Sequence, residues 1–165
     1  MSIGQSLLGE WDNEVANTVR MLSAVPDGKA DWTPHAKSMA LGRIATHIAE
    51  LPDWAGVTLN FPELDFAKFD YKPTPFTTAA ENVAAFEAKA KAAREVMAGA
   101  SDATYMEPWT MRKGEQVYFT MPKIAVIRNF VFNHMIHHRA QLSVYLRLLD
   151  VKLPGMYGPS ADEPM

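Results

Sequence analysis

Three of the five histidines crowd into Asn133-His134-Met135-Ile136-His137-His138-Arg139-Ala140-Gln141. On an α-helix His134 and His138, spaced i, i+4, project from one face a turn apart. Two imidazole nitrogens so placed can close on one divalent ion, and imidazole suits zinc, nickel, copper and iron. His47, in a separate stretch of helical periodicity, is a third candidate ligand. Three imidazoles without an obvious fourth protein ligand leave a position open to water or substrate, as a catalytic metal requires. Neutral nitrogen ligands also leave the ion its full charge, which favours deprotonation of bound water or thiol near neutral pH.

The other chemistry-bearing residues carry less. A lone core histidine is most often one that hydrogen-bonds a carbonyl or an acid. One helix face offers few acceptors for two stacked rings, which tips His134 and His138 towards ligand roles. His137 projects about 100° around the helix from His138 and falls at the stripe's edge. His35, in the loop Trp32-Thr33-Pro34-His35, has no periodic partner and reads as surface. Ring nitrogens not bound to metal need acceptors, for which Glu50 and Gln141 are candidates. Tyr71, Trp109, Tyr118 and Phe119 are candidate pocket walls, and Asp162 and Glu163 are carboxylates that could approach the open position.

Four segments must position these groups. Leu7, Leu8, Trp11, Val15, Val19 and Leu22 repeat at helical spacing over residues 2–23, closed by Pro26-Asp27-Gly28. A second helix is expected over 38–59, capped by Ser38, with His47 on its inward face and Pro52 bending it. Residues 61–75, rich in Pro, Asp and aromatics, are long for a helix–helix loop and suggest a crossover. Thr77 or Thr78 should cap a third helix over 79–98. A Gly turn between β-prone residues in 108–120 suggests a small hairpin. The fourth helix should run from Pro122 to about residue 149, with an inward stripe of Ile127, Val131, His134, His138, Leu142, Tyr145 and Leu149. Together these predict an all-α four-helix bundle, a fold that places metal sites in its core.

Composition narrows the function. The chain has 165 residues, enough for one domain over 1–165, and a net charge of -3 with no Lys/Arg run, which argues against a nucleic-acid partner. No apolar stretch is long enough to span a membrane. Residues 1–11 lack the charged-then-apolar pattern of a signal peptide, so the expected compartment is the cytoplasm. With no cysteine, any thiol nucleophile must come from outside the chain. His-Glu-x-x-His, P-loop and Gly-x-Gly-x-x-Gly motifs are missing, which disfavours zincin and nucleotide chemistry.

His47 in Ala45-Thr46-His47-Ile48-Ala49-Glu50-Leu51-Pro52-Asp53-Trp54, the run His134 to Gln141, and the closing Leu153-Pro154-Gly155-Met156-Tyr157-Gly158-Pro159-Ser160-Ala161-Asp162-Glu163 resemble the DinB/YfiT-like family of metal-dependent bundles. One departure is Ala140, where relatives commonly have glycine. The resemblance implies an up-down-down-up bundle, a homodimer, and zinc or nickel held at His47, His134 and His138. Some relatives are transferases or isomerases that use low-molecular-weight thiols, whereas others have no known activity. The expectation is therefore a metal-dependent hydrolase or thiol S-transferase acting on a small-molecule electrophile. The alternative is a non-catalytic metal-binding protein of stress response or interaction.

Overall fold

A computed structural model describes residues 1–69 and 71–164; Asp70 and Met165, which the sequence reading assigns to the second connection and the tail, lie outside the described residues. Helix α1 (Ile3–Ser23) starts where Ser2 accepts a hydrogen bond from the Gln5 amide at 3.2 Å. That is the usual means by which a serine satisfies an orphan first-turn N–H. Helix α2 (Leu41–Glu50) and helix α3 (Asp53–Asn60) are separated at Leu51–Pro52, where the proline interrupts the helical hydrogen bonds. Helix α4 (Ala79–Gly99) is capped by Thr78, which accepts from the Glu81 amide. A short helix α5 (Asp102–Met106) leads into the sheet.

Strands β2 (Pro108–Lys113) and β3 (Gln116–Pro122) form the expected hairpin, with Gly114 at φ 58° in its two-residue turn. A primed hairpin turn needs that left-handed conformation at its first central residue. Strand β1 (Glu63–Asp65) then joins β2 in parallel, giving a three-stranded mixed sheet of order β1-β2-β3. The fold is thus mixed α/β, which corrects the all-α, up-down-down-up four-helix bundle expected from the sequence. The segment 61–75, expected to be a helix–helix crossover, instead contributes a strand whose Glu63 pairs with Thr110, about forty-seven positions away. A three-residue strand is too short to show alternation, and its pairing is set by distant partners. The Asp65 carboxylate fixes this edge by accepting from the Gly114 amide at 2.8 Å and the Ala67 amide at 2.9 Å.

The last helical stretch has three parts: α6 (Lys123–Val126), a π-helical segment (Ile127–Asn133) and α7 (His134–Leu148). Hydrogen bonds in the π segment span five residues rather than four and rotate the residues of α7 relative to a continuous α-helix. Met135, Leu142 and Leu146 are fully buried, while Tyr145 and Leu149 are only half-buried. Ile127, Val131, His138 and Leu142 of the expected stripe are buried, whereas His134, Tyr145 and Leu149 stand at its border. No helix among the described residues is long and apolar enough to cross a membrane.

Two apolar clusters result. The larger joins α1, α2, α4 and α7 through residues such as Trp11, Leu22, Ile44, Ile48, Phe86 and Leu142. The smaller lies beneath the sheet, where Trp109, Met111 and Val126 pack with Trp54, Phe119 and Phe130. Ser38 does not cap α2. The first-turn amides of Leu41 and Gly42 instead donate to the carbonyls of Trp32 and Ala30 at 2.8 and 2.9 Å. That approach requires glycine, since a Cβ on Gly42 would come within 2.9 Å of Ala30 Cβ and 2.8 Å of Phe76 Cβ.

A buried ion pair ties α1 to α7. Arg139 and Glu14 are 2% and 3% exposed, and Arg139 also donates to the Glu14 carbonyl and to Thr18 Oγ1. The Tyr157 hydroxyl donates to the Glu14 carboxylate at 2.8 Å, which fastens the C-terminal tail across the pair. Truncating one partner leaves the other charge buried and unpaired. Glu14→Ala should therefore lower unfolding free energy by about 3–5 kcal/mol, measured by urea denaturation. A loss below about 1 kcal/mol, the range of an exposed pair, would show that this contact does not carry the α1–α7 junction.

Candidate metal centre

Helix α2 packs against α7, and this contact brings the three predicted histidines together. His47 Nε2 lies 3.3 Å from His134 Nε2. One ligand atom from each of His47, His134 and His138 can be chosen so that all lie within 4.8 Å of one another. Ring centroids are 5.1 Å apart for His47 and His134, 4.6 Å for His47 and His138, and 4.7 Å for His134 and His138. Two nitrogens on one tetrahedral ion with bonds of about 2.0–2.1 Å sit about 3.3 Å apart. The His47–His134 separation already has that value, while the third ring needs a modest inward shift.

Burial pushes the His47 pKa down to about 4, reinforced by the fields of His138, His134 and Arg43. His134 is also pushed down to about 4, first by burial and then by His138 and His137, with the Phe130 carbonyl opposing. His138 is lowered by burial, against the pull of its bond to Gln141. All three rings are therefore neutral at pH 7, the form in which imidazole binds a metal.

The other nitrogens show how the rings are aimed. His138 Nδ1 is 2.7 Å from Gln141 Oε1. If the amide oxygen accepts from Nδ1–H, Nε2 keeps its lone pair for an ion. His134 Nδ1 is buried, and the Phe130 carbonyl is the backbone group that acts on this ring. His47 Nδ1 faces Arg43 Nη2 at 3.5 Å, the outer limit of a hydrogen bond. Arg43 is held more closely by Tyr71 Oη at 2.6 Å, and by Thr46 Oγ1 and Glu50 Oε2 at 3.2 Å each. Three neutral nitrogens at these separations fit a divalent cation.

Glu50 does not accept from His47. Its Oε2 takes the Tyr71 hydroxyl at 2.5 Å and Arg43, and its Oε1 takes the Thr74 amide at 2.8 Å. It clamps the connection before α4 onto α2. Arg43, which sequence reasoning missed, sits i−4 from His47, so helical spacing alone would have placed it on this face. His137 and His35 are exposed, the His35 ring accepting from the Lys37 amide at 3.1 Å. Asp162 and Glu163 point elsewhere: Asp162 binds Arg147 and the Leu153 amide, and Glu163 binds Arg20 and the Gly155 amide. Among the four candidate wall aromatics only Tyr71 lines the cavity of about 350 Å³ that opens beside His47. Trp109 is buried under the sheet, Phe119 stacks on Phe130, and Tyr118 is exposed.

The family model described as the DinB family matches residues 1–165. The chain belongs to the DinB family. It is 28% identical over 159 residues to the uncharacterized protein YrdA of Bacillus subtilis strain 168, covering 94% of this chain and 89% of that one. A DinB-like protein from Bacillus cereus ATCC 10987 has a similar fold, with TM-score 0.71 and 22% identity over 94% of this chain and 98% of its own. So does the DinB-like protein YjoA of Bacillus subtilis, with TM-score 0.69 and 14% identity over 92% of this chain and 96% of its own. In this DinB-family chain the histidine trio is a group compatible with metal binding.

Neutral burial of the trio has a consequence for stability. Unfolded imidazole titrates at 6.5, and His47 and His134 in the fold at about 4. Between those values the unfolded chain binds protons that the folded chain does not. The stabilisation is complete above the unfolded value and is lost as pH falls towards the folded one. The urea midpoint of metal-free protein should fall between pH 6.5 and 5, with a shallower slope in the His47→Asn/His134→Asn variant. Equal slopes for the two proteins would contradict the neutral, desolvated trio.

Proposed function

We propose that this protein is a metal-dependent enzyme whose His47, His134 and His138 hold one divalent ion, zinc or nickel. The single observation behind this reading is the 3.3 Å approach of His47 Nε2 to His134 Nε2, on facing helices, with His138 beside both. The bound ion would supply Lewis-acid polarisation and make water or an external low-molecular-weight thiol nucleophilic near neutral pH, for attack on a small electrophile. Three protein nitrogens leave room for that exchange, and the absence of cysteine makes any thiol a co-substrate.

The chain's own residues then have distinct tasks. Gln141 orients the His138 ring through Nδ1. Glu50 and Tyr71 fix Arg43 alongside His47 and keep the 71–74 segment over α2. His47 presents the cluster to the cavity, since it alone of the three stands on the cavity wall.

Protein purified without a histidine tag should carry about one zinc or nickel per chain by elemental analysis, and His134→Ala should lose it. Gln141→Leu, which removes the acceptor for Nδ1–H, should weaken metal affinity about 10–100-fold. Metal-loaded protein should turn over monochlorobimane with cysteine, glutathione, bacillithiol or mycothiol, or hydrolyse a small ester. Substoichiometric metal, unaffected by His134→Ala, would overturn the site. Full loading without turnover across that panel would assign a non-catalytic metal-binding role.

A further inference from the structure

The cavity beside His47 has two chemically different ends. Its polar end is a single bonded group, in which Arg43 contacts His47, Glu50 and Tyr71, and Tyr71 returns to Glu50. Its other end belongs to the cluster under the sheet: Trp54, Val57, Leu64 and Phe66 line the cavity and also pack with that cluster. Phe69, half-exposed, stands at the rim and stacks at 6.4 Å on Tyr71. Helix α3 and strand β1 supply most of the apolar end, and helix α2 supplies most of the polar one.

The fixed charges around this space already have partners. Arg43 pairs with Glu50, Lys89 pairs with Asp53, and Lys72 is also engaged. A strongly charged substrate would have to compete with these pairs, and the apolar end offers it no polar contact. A neutral molecule with an apolar body has no such penalty and covers aromatic and aliphatic surface. The volume of about 350 Å³ is near the lower end of ligand sites, which run about 300–1,000 Å³.

We infer that this cavity binds a neutral electrophile with an aryl or branched-alkyl body, its apolar part against Trp54, Val57 and Leu64 and its reacting end towards His47. The assignment of the molecule as substrate rests on the metal-site reading above; the binding itself does not. Strand β1 therefore has a direct role in specificity, because Leu64 and its neighbour Phe66 reach the cavity only when Glu63–Asp65 pairs with β2.

The test uses a matched pair of unreactive probes, 3-phenylpropanamide and propanamide, which share an amide head and differ by the ring. Leu64 methyl shifts are followed by NMR during titration of the full chain. The phenyl compound should bind about tenfold or more tighter than propanamide. Val57→Trp, which fills the apolar end, should abolish its saturable shifts. Phe69→Ser, at an exposed position that leaves the core intact, should weaken it several-fold. Tightness equal for the two probes, or undiminished in both variants, overturns the inference. Zinc uptake without phenyl-selective binding would sink this inference alone and leave the three-histidine site standing. Phenyl-selective binding retained in His134→Ala, with no zinc uptake by the parent protein, would sink the metal reading alone and leave the pocket.

Discussion

Three imidazoles that share one half-buried volume must stay uncharged, and the rest of the site depends on that requirement. Like charges about 4 Å apart repel by about 4 kcal/mol at an effective dielectric of 20. A proton on any ring would also lie near the Arg43 guanidinium, which already depresses His47. Neutral rings can share an N–H···N hydrogen bond across the 3.3 Å between His47 Nε2 and His134 Nε2, whereas a shared cation takes the lone pair of each.

The scaffold serves that meeting of α2 and α7 from several directions. Gly42 lets the loop at Ala30 close against the start of α2, one turn before His47. Glu50 holds the 71–74 segment on the same helix. On the other side the buried Arg139–Glu14 pair fixes α7 against α1, immediately after His138. The π segment ends at Asn133, immediately before His134. Such segments are found often at functional positions, where a local change of register re-aims a side chain.

Much of this was legible in the sequence because it is local. Thr78 caps its helix through a bond three residues long, Pro52 breaks its helix, and Gly114 makes the hairpin. The i, i+4 histidines and His47 on the inward face of α2 needed only helical periodicity. What escaped was non-local or concerned hydrogen-bond register. Pairing of β1 with β2 is invisible in three residues, so the sequence shows the hairpin but not the mixed sheet built on it. The π segment leaves no mark in the apolar pattern, since Ile127 and Val131 within it are buried as a plain α-helix would also have them. Glu50 has the spacing of an acceptor for His47, but Tyr71 and Thr74, distant in sequence, claim its oxygens.

The most direct test is X-ray absorption at the zinc edge, on protein loaded with one equivalent of zinc. We expect a first shell of nitrogen and oxygen at about 2.0–2.1 Å, with outer-shell scattering from three imidazoles that drops to two in the His47→Ala variant. An outer shell with fewer than two imidazoles, or one unchanged by removing His47, would contradict the meeting of the two helices on a single ion.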